Sequence, residues 1–509
     1  MCVFLQFNSN MRFYRIQSFL SVAAALLVFS GCQKMEDMEV LPEKQDESRV
    51  AVASGQGKLV SASLSSTRTV DEAVQNALEN VEQTSGTMIA DSVVTNIRLL
   101  RKRFTGKEWQ MQVYRIKYNT VDIDGNPIQL NGDVGFINET SGKCKRTLDA
   151  ISLFQTAFNT EELTTTLYEV MVLPVRVLYN QVVVYPFYQG IGIDRGVHPV
   201  TISEPMLKAR QSIDCELAAL ELLDQLNVGL DENYYTANFG ISNGGATTLA
   251  VQYLLENDAE YKKINEDVIR LAGTYCGEGC YSFRKLIPIL TAPEKKPEFS
   301  LLPDYMSIIK SMAYIACLIG SYDTWNGHNG HYRHVSSVDD YFSEDFLKIQ
   351  RPYWIEPLNI LQLRFSELSR PEPDGYMGFI ENFRKGYLSM GDEMIFNGEL
   401  KISDMINPEL LDENGIVNMA HPYLTDVQEA FAENDVFLSG WNPLTPLCLA
   451  HSESDDFVDI GQVREVYAAL SNNGCNRNVK MPTVKGLNHL LGTFFFLVKD
   501  ILAKEQPWK

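Results

Sequence analysis

The sequence lacks an excess of positive charge. Its 509 residues include 44 Lys and Arg against 65 Asp and Glu, which gives a formal net charge of −21. Nucleic-acid binding relies on basic patches that neutralise phosphates, and an acidic chain offers no such surface. The charge therefore argues against nucleic acid as a partner, and also against a surface attracted to anionic lipid headgroups.

Long-range repetition is also missing. No repeat of about 20–50 residues is visible, so a solenoid or a propeller is not favoured. Disorder of the whole chain is excluded, because 45% of the residues are apolar and only 21% are charged, close to an average globular protein. A chain of this length can form one large or two ordinary domains with a sizeable core.

Patterns typical of metal sites are scarce. Cys276 and Cys280 have no second cysteine pair shortly after them, so a zinc ribbon is not expected. His328, His331 and His334 are spaced by three in a glycine-containing stretch, but neither an H-E-x-x-H pattern nor a carboxylate pair accompanies them. We interpret this stretch as a loop, and we predict no metal and no other cofactor.

The amino-terminal residues 1–32 have the organisation of an export signal. From Met11 the chain has two arginines, an apolar run over residues 19–29 and then Ser30-Gly31-Cys32. Such an apolar run is typical of a secretory signal and is too short to span a membrane. The end resembles the lipobox of bacterial lipoproteins, which implies that Cys32 is acylated and anchors the mature chain. An ordinary cleaved signal is the alternative.

Residues 33–60 are polar and acidic and have no apolar periodicity, which predicts a flexible tether. An acidic stretch directly after the acylated cysteine resembles the surface-export signal of Bacteroidetes lipoproteins. The resemblance implies an outer-membrane lipoprotein that faces the periplasm or the cell surface.

Residues 61–147 predict a helix followed by strands. A Thr-x-x-Glu start and helical spacing predict a helix over residues 69–84. Alternating apolar and polar residues predict strands over 93–104, 112–122 and 128–136. Asp124-Gly125-Asn126 is a turn signal that joins the last two strands as a hairpin.

From residue 148 onwards, buried-type apolar runs alternate with helical stretches. This order predicts an α/β fold, a mostly parallel sheet with helices on both faces. A helix-rich, aromatic stretch over 281–443 predicts a cap or lid inserted into this α/β domain, whose two parts are then 61–280 and 444–509. The predicted strands cover residues 148–154, 182–185, 234–239, 268–275, 447–451 and 479–484, and the predicted helices cover 206–226, 244–255 and 460–470.

Ser242 lies in a G-x-S-x-G sequence, residues 240–244. The motif follows a predicted strand and precedes a predicted helix, which is the setting that a nucleophile elbow requires. A sharp turn of this kind exposes the serine Oγ and directs the helix amino terminus towards a developing oxyanion. The pattern predicts Ser242 as a catalytic nucleophile.

Residues 446–458 form an apolar strand that ends in an acidic loop, and they resemble the H-G-x-x-D-x-x-V segment of α/β-hydrolases. The resemblance implies Asp455 as the catalytic acid, with the adjacent Asp456 as the alternative. His489 is the only histidine after Asp455, so the chain order Ser…Asp…His is met, and we predict His489 as the base.

Residues 182–192 and His198-Pro199 resemble a segment of the secreted lipases and carboxylesterases in the same superfamily. The resemblance implies backbone oxyanion donors at Asn243 and at Gln155 or Thr156. Related esterases usually carry His-Gly-Thr where this chain has residues 154–156, Phe-Gln-Thr, so the path of that loop is open.

These features together predict a serine hydrolase that cleaves carboxylic esters through a Ser-His-Asp triad and an acyl-enzyme. The expected partners are a small-molecule ester and, through the lipid anchor, a membrane. A serine peptidase or amidase on the same fold is one alternative, because the triad also serves amides. A surface-binding lipoprotein that has lost its catalytic activity is the other.

Overall fold

The chain forms one mixed β-sheet with helices on both faces. The computed structural model describes residues 55–75, most of 95–140, 147–155, nearly all of 172–291, parts of 315–326, 330–350, 402–436 and most of 440–496. The ten strands are β1 Leu59–Thr69, β2 Trp109–Val121, β3 Pro127–Glu139, β4 Thr147–Gln155, β5 Gln181–Pro186, β6 Gly229–Ile241, β7 Leu271–Gly277, β8 Leu447–Ser452, β9 Val479–Lys480 and β10 Thr483–Val484.

The strand order is β1-β2-β3-β5-β4-β6-β7-β8-β10, and β9 also pairs with β8. The pairs β1–β2, β2–β3 and β3–β5 are antiparallel, and all other pairs are parallel. After β4 the chain continues to β5, which lies on one side of the adjacent strands β4 and β6. After β6 it continues to β7, which lies on the other side of these two strands. In open α/β sheets, a crevice for ligands forms at the carboxyl ends of two strands that diverge in this way.

Helices cover the sheet because its strands are apolar on both faces. Alternate residues of β4 and β5 belong to two separate core clusters, with Ile151 and Leu153 in one and Phe154 in the other. The helices are α1 Leu173–Leu178, α2 Pro205–Gln225, α3 Asn243–Asn257, α4 Ala259–Ile264, α5 Glu344–Gln350, α6 Ile402–Met405, α7 Pro422–Glu433 and α8 Ile460–Leu470. Buried residues of α2, α3 and α8 lie in the first cluster, and α1 lies in the second.

The amino-terminal region confirms the hairpin and corrects one strand. Thr69 and Glu72 form a capping box, since the Thr69 hydroxyl donates to the Glu72 carboxylate over 2.6 Å and accepts from its backbone N–H over 3.3 Å. The strand prediction over residues 93–104 is wrong, because the described residues there are helical. Val93, Ile97 and Leu100 recur at spacings of four and three residues, a helical period that competes with the alternation.

The predicted strand over residues 479–484 is interrupted. It forms two short strands, β9 and β10, with Pro482 between them. A proline has no backbone N–H to donate to a sheet ladder, so the pairing with β8 stops and restarts around it.

Between β7 and β8, the residues that the structure describes form helices and two isolated β-bridges. Many of their apolar side chains, including Trp325, Tyr322 and Phe431, are fully buried and belong to the same core cluster as α2 and α3. The described part of the insertion therefore contains helices and packs onto the sheet domain, while its role as a cap or lid stays a prediction.

Residues 1–54 lie outside the described residues, so the predicted signal, Cys32 and most of the predicted tether have no structural account. The described chain begins just before β1, whose first residue, Leu59, precedes the predicted domain boundary by two positions. Among the helices that can be described, none is long and apolar enough to cross a membrane.

Candidate active site

Ser242 occupies a tight turn between β6 and α3. Its backbone has φ +53° and ψ −124°, a conformation that residues other than glycine adopt only at a cost in energy. The Ser242 N–H donates to the Gly277 carbonyl at the end of β7 over 2.8 Å, which fixes the turn against the neighbouring strand. The strand, turn and helix predicted around this serine are confirmed.

The glycines around Ser242 are required by close packing. A Cβ on Gly240 would lie 2.8 Å from the Gln155 Cβ, and a Cβ on Gly245 would lie 2.9 Å from the Gly279 Cα. Both distances are too short for a side chain without movement of the neighbouring segments. Gly240, the first residue of the motif, and Gly245, the residue after it, thus let strand, helix and adjacent loops approach each other at the turn.

A chain of hydrogen bonds connects Ser242 to a buried carboxylate. The Ser242 Oγ lies 2.8 Å from the His489 Nε2, and the His489 Nδ1 lies 2.7 Å from the Asp455 Oδ2. The other Asp455 oxygen accepts the backbone N–H groups of Phe457 and Val458, each over 2.8 Å. These bonds fix the carboxylate, which in turn orients the imidazole towards Ser242.

The environment of Asp455 favours its charged form. Burial alone would raise the pKa of the Asp455 carboxyl, but the charge and hydrogen bond of His489, together with contacts to Glu278 and His451, lower it to about 2. Its side chain is fully buried, whereas that of His489 is 15% exposed. Asp455, rather than the adjacent Asp456, which is outside the described residues, makes the contact with His489 in this structure.

Asn243 follows Ser242 as the first residue of α3 and is buried. Its side-chain amide donates to the Ile202 carbonyl over 2.9 Å, and its amide oxygen accepts a hydrogen bond from the Lys208 ammonium. The Lys208 Nζ also lies 4.6 Å from the centroid of the Tyr188 ring. These contacts fix the orientation of Asn243. Its backbone N–H lies at the amino terminus of α3, beside Ser242.

Gln155 ends β4 next to the nucleophile strand, where it pairs with Gly240 of β6. It is fully buried, and its side-chain amide has no hydrogen-bond partner within the part of the chain that the structure describes. Its position at the divergence of β4 and β6 places it at the crevice expected from the strand order. Thr156, the alternative oxyanion residue, lies outside the described residues.

Glu204 and Lys208 form a buried pair behind Asn243 that the sequence did not reveal. Burial raises the pKa of the Glu204 carboxyl to about 7, although the Ser203 hydroxyl and the Lys208 charge oppose the shift. Burial lowers the pKa of Lys208 to about 7, against the attraction of Glu204. Their spacing of four residues was the only sequence signal, and it is equally typical of a solvated helix face.

Sequence reasoning also missed Glu278 and His451. Both are fully buried, and the His451 Nδ1 lies 3.1 Å from the Glu278 Oε2, while the His451 Nε2 lies 3.3 Å from the Asp455 Oδ2. Glu278 stands between the two cysteines weighed for zinc, and His451 belongs to the segment that implied Asp455. Only the pairing of β7 with β8 brings the two side chains together.

The histidine stretch of the insertion has a different environment. His331 lies near the β2–β3 turn, with its Nδ1 3.1 Å from the Asp124 Oδ1, and both side chains are about one-third exposed. His334 is exposed, and His328 lies outside the described residues. The loop prediction for residues 330–335 agrees with the turn observed there.

Comparison with solved structures gives the fold an external reference. A protein from Legionella pneumophila, classed provisionally as a hydrolase, superimposes with a TM-score of 0.55 over 87% of this chain and 96% of its own length, at 16% identity. The ligand-bound form of the rice cell wall degrading esterase LipA from Xanthomonas oryzae has a TM-score of 0.53 over 87% and 97%, at 15% identity.

No protein-family model matches the sequence. No curated protein sequence matches it either. At the identities found, the similarity to solved structures shows the fold alone. The parallel core, the sharp turn at Ser242 and these superpositions agree, and the chain has the α/β-hydrolase fold.

Proposed function

We propose that this protein is a serine hydrolase that cleaves carboxylic esters, with Ser242 as nucleophile, His489 as general base and acid, and Asp455 as the residue that orients His489. The observation that carries the proposal is the continuous hydrogen-bond chain from Ser242 Oγ through His489 to Asp455, with distances of 2.8 Å and 2.7 Å. Nucleophile, base and orienting acid within hydrogen-bond reach are the requirement for acyl transfer by a serine.

In the proposed reaction the Ser242 Oγ attacks the ester carbonyl carbon while the His489 Nε2 takes the hydroxyl proton. The carbonyl π bond breaks, and its electrons form an oxyanion held by backbone N–H groups of Asn243 and of Gln155 or Thr156. When the carbonyl re-forms, the alcohol leaves with the proton from His489. Water then attacks the acyl-serine by the same steps, giving the acid and restoring Ser242.

The choice of esters over amides has support from the comparisons. LipA from Xanthomonas oryzae, whose fold this chain shares, is an esterase that degrades the rice cell wall. The helical insertion is rich in aromatic residues, and a cap of this composition favours substrates with apolar or aromatic acyl groups.

The test is a panel of p-nitrophenyl esters that vary in acyl length and include aromatic acids. It is run beside peptide anilides on the chain lacking residues 1–32. We expect turnover of esters well above that of anilides, and loss of turnover in Ser242→Ala. Ser65→Ala, on the partly exposed strand β1, is the control and should retain activity. Anilide turnover that exceeds ester turnover would favour the peptidase alternative.

We also propose that the protein is anchored by acylated Cys32 in the outer membrane. The support is the signal-like sequence of residues 11–32. Cys32→Ser should abolish incorporation of labelled palmitate in the producing bacterium. Unchanged labelling in that variant would exclude acylation at this residue.

A further inference from the structure

Beside Asp455 lies a second buried pair of titratable side chains, Glu278 and His451. Glu278 follows β7 directly, and His451 is on β8. The acyl-transfer steps proposed above do not use either of them. Their side chains are 0% exposed, so whatever protons they hold are shielded from solvent.

The hydrogen bonds of His451 define where its protons lie. The Nε2 is 3.0 Å from the Val458 carbonyl oxygen, and a carbonyl oxygen only accepts hydrogen bonds, so the Nε2 carries a hydrogen. Burial lowers the pKa of His451, although the nearby Asp455 opposes the shift, and the neutral form is thereby favoured. In the neutral imidazole the Nδ1 is then an acceptor, and it faces the Glu278 Oε2 at 3.1 Å.

An acceptor nitrogen facing a carboxylate oxygen requires a proton between them. Glu278 supplies that proton if its carboxyl is neutral. The charge of Asp455 points to the same state, because one atom of each of Glu278, His451 and Asp455 lies within 4.8 Å of the others. Two buried carboxylates at such a distance do not both ionise readily, and one of them keeps a proton.

Of the two carboxyls, Asp455 is the one that is better stabilised as an anion. It faces His489 and accepts two backbone N–H groups, and His489 is the main cause that lowers its pKa. Among the described residues, the titratable groups that act on the pair also include His489 and Asp459 near His451, and Tyr281 near Glu278. Tyr281 in turn faces the thiols of Cys276 and Cys448.

Glu278 is also fixed to β8 and lies close to the segment that follows His489. Its N–H donates to the Ala450 carbonyl over 2.9 Å, and its Oε1 accepts the Ser452 N–H over 3.0 Å, so it is fixed to β8 at both ends. A side chain on Gly492, in the helical segment that follows His489, would overlap with the Glu278 carboxyl. The preceding residue, Gly277, accepts the N–H of Ser242.

We propose that Glu278 is a positioning residue that is protonated at neutral pH. Its O–H donates to His451, His451 is thereby held as the Nε2–H tautomer beside Asp455, and Asp455 remains the only anion facing His489. This inference depends on the proposed roles of Ser242, His489 and Asp455. Its first test does not require turnover, so its failure and that of the proposed function are distinguishable.

The direct test is infrared spectroscopy of the folded chain lacking residues 1–32, compared with Glu278→Gln. The readout is the difference spectrum of wild type minus variant, because burial also raises the pKa of Glu204, Asp214 and Glu216 to about 7 or 8 and these carboxyls contribute bands to both proteins. We expect the difference spectrum at neutral pH to contain the C=O stretching band of one buried, protonated carboxylic acid, and that band should shift in deuterium oxide. Nitrogen NMR of labelled histidine should show His451, identified by its loss in His451→Gln, as a neutral Nε2–H imidazole. A difference spectrum without the band, or an imidazolium at His451, would overturn the proposal.

The catalytic test compares Glu278→Gln with Glu278→Met, a pair of similar size. A glutamine N–H can donate to the His451 Nδ1 while the amide oxygen accepts the Ser452 N–H, whereas methionine can do neither. We expect kcat to be at least roughly tenfold higher in the glutamine variant than in the methionine variant, with similar KM values. If the Glu278→Met protein fails to fold, the Glu278→Gln protein alone still tests whether Glu278 is neutral. Its pH profile should keep the acid limb of kcat/KM, because no charge has been removed.

Two outcomes would contradict this account. If Glu278 is an anion, replacing it by glutamine makes protonated His489 less stable, and the acid limb of kcat/KM moves down by roughly one pH unit. If the three side chains instead bind a metal, elemental analysis of the purified wild type should find a stoichiometric ion such as zinc that is lost in Glu278→Gln. Either result would overturn the assignment of a shared proton.

Discussion

At the residue scale, a single oxygen of Asp455 lies between two imidazole rings. The Asp455 Oδ2 is 2.7 Å from the His489 Nδ1 and 3.3 Å from the His451 Nε2. The first contact orients the proposed base, and the second connects the carboxylate to a buried interior. The charge on Asp455 is therefore shielded from water and directed mainly at His489.

Replacing Asp455 by asparagine should inactivate the enzyme without unfolding it. The amide oxygen would accept the backbone N–H groups of Phe457 and Val458 in place of the carboxylate oxygen. The amide N–H₂ would then face His489, and the His489 Nδ1 would have to accept a hydrogen bond from it. The Nε2 would then carry the hydrogen and could not take the Ser242 proton, and we expect kcat to fall by about 10⁴-fold.

Asp412→Asn is the matched control for that variant. Asp412 also accepts backbone N–H groups two and four residues later, from Asn414 and Ile416, but it lies on an exposed turn. Ester hydrolysis should be unaffected by this change. A loss of less than about tenfold in Asp455→Asn would contradict the role given to Asp455.

Single residues of the site were predictable where the chemistry leaves a linear pattern. Ser242 is marked by flanking glycines, and His489 by its place after Asp455. Glu278 and Lys208 leave no such pattern, because their roles come from burial by segments distant in the sequence. The position of Gln155 at the end of β4 agrees with the prediction, while its role as an oxyanion donor stays a prediction.

At the scale of elements, the turn between β6 and α3 stores backbone strain at the proposed nucleophile. Ser242 has a positive φ of 53°, which a Cβ disfavours and a glycine accepts. The turn persists because Ser242 is held by Gly277 and because α3 and the β6 strand are buried around it. The fold thus keeps a strained backbone conformation at the position where the proposed reaction requires an exposed serine.

This strain predicts an unusual order of stability. Ser242→Gly should be more stable than Ser242→Ala by about 1 kcal/mol, because only glycine relieves the positive φ. Urea unfolding of the two inactive variants measures the difference. At Ser212, inside helix α2, the order should reverse, since glycine costs about 1 kcal/mol relative to alanine in a helix. An alanine variant as stable as the glycine variant at position 242 would show that the turn is not strained.

Element prediction succeeded where one period dominates. The strands β4, β5 and β8 and the helices α2, α3 and α8 were expected within a few residues of their observed bounds. The segment over residues 93–104 carries both periods, and its described residues are helical. β1 was not predicted, because most of this strand is partly or fully exposed and its residues do not form a buried apolar run.

At the scale of the whole molecule, buried charge makes stability depend on pH. The pKa of the Glu204 carboxyl is about 7 in the folded protein, and its ordinary value, which applies to the unfolded chain, is 4.5. Between these values the unfolded chain releases a proton that the folded protein keeps. The contribution of Glu204 to the free energy of unfolding is therefore largest below about pH 4.5, and it decreases as the pH rises towards 7.

Glu204→Gln should remove the part of that fall that Glu204 contributes, while Asp214 and Glu216, whose pKa values burial raises to about 7 and about 8, keep the rest in place. We expect the urea midpoint of the wild type to decrease between about pH 4.5 and pH 7, and that of the variant to change less. Glu453→Gln is the control. Its carboxyl is on the surface and its pKa is lowered, chiefly by a hydrogen bond with Thr483, so this change leaves the downward slope in place. A wild type whose midpoint rises over this interval would contradict the assignment.

The layered architecture followed from the alternation of strands and helices, but the strand order did not. Placing β5 on the outer side of β4, and β6 on its inner side, depends on long-range packing of α1 and α2 on opposite faces. The local pattern carries no information about which neighbour a strand chooses. The crevice expected beside Ser242 could consequently be inferred only from the strand order of the folded chain.

The most direct measurement is covalent labelling of the folded chain lacking residues 1–32 with a fluorophosphonate, followed by peptide mapping of the adduct. The account predicts one adduct per chain, located on Ser242, that is lost in Ser242→Ala and strongly slowed in Asp455→Asn. No adduct on the folded wild type, or an adduct on another serine that survives in Ser242→Ala, would contradict the proposal that Ser242 is an activated nucleophile.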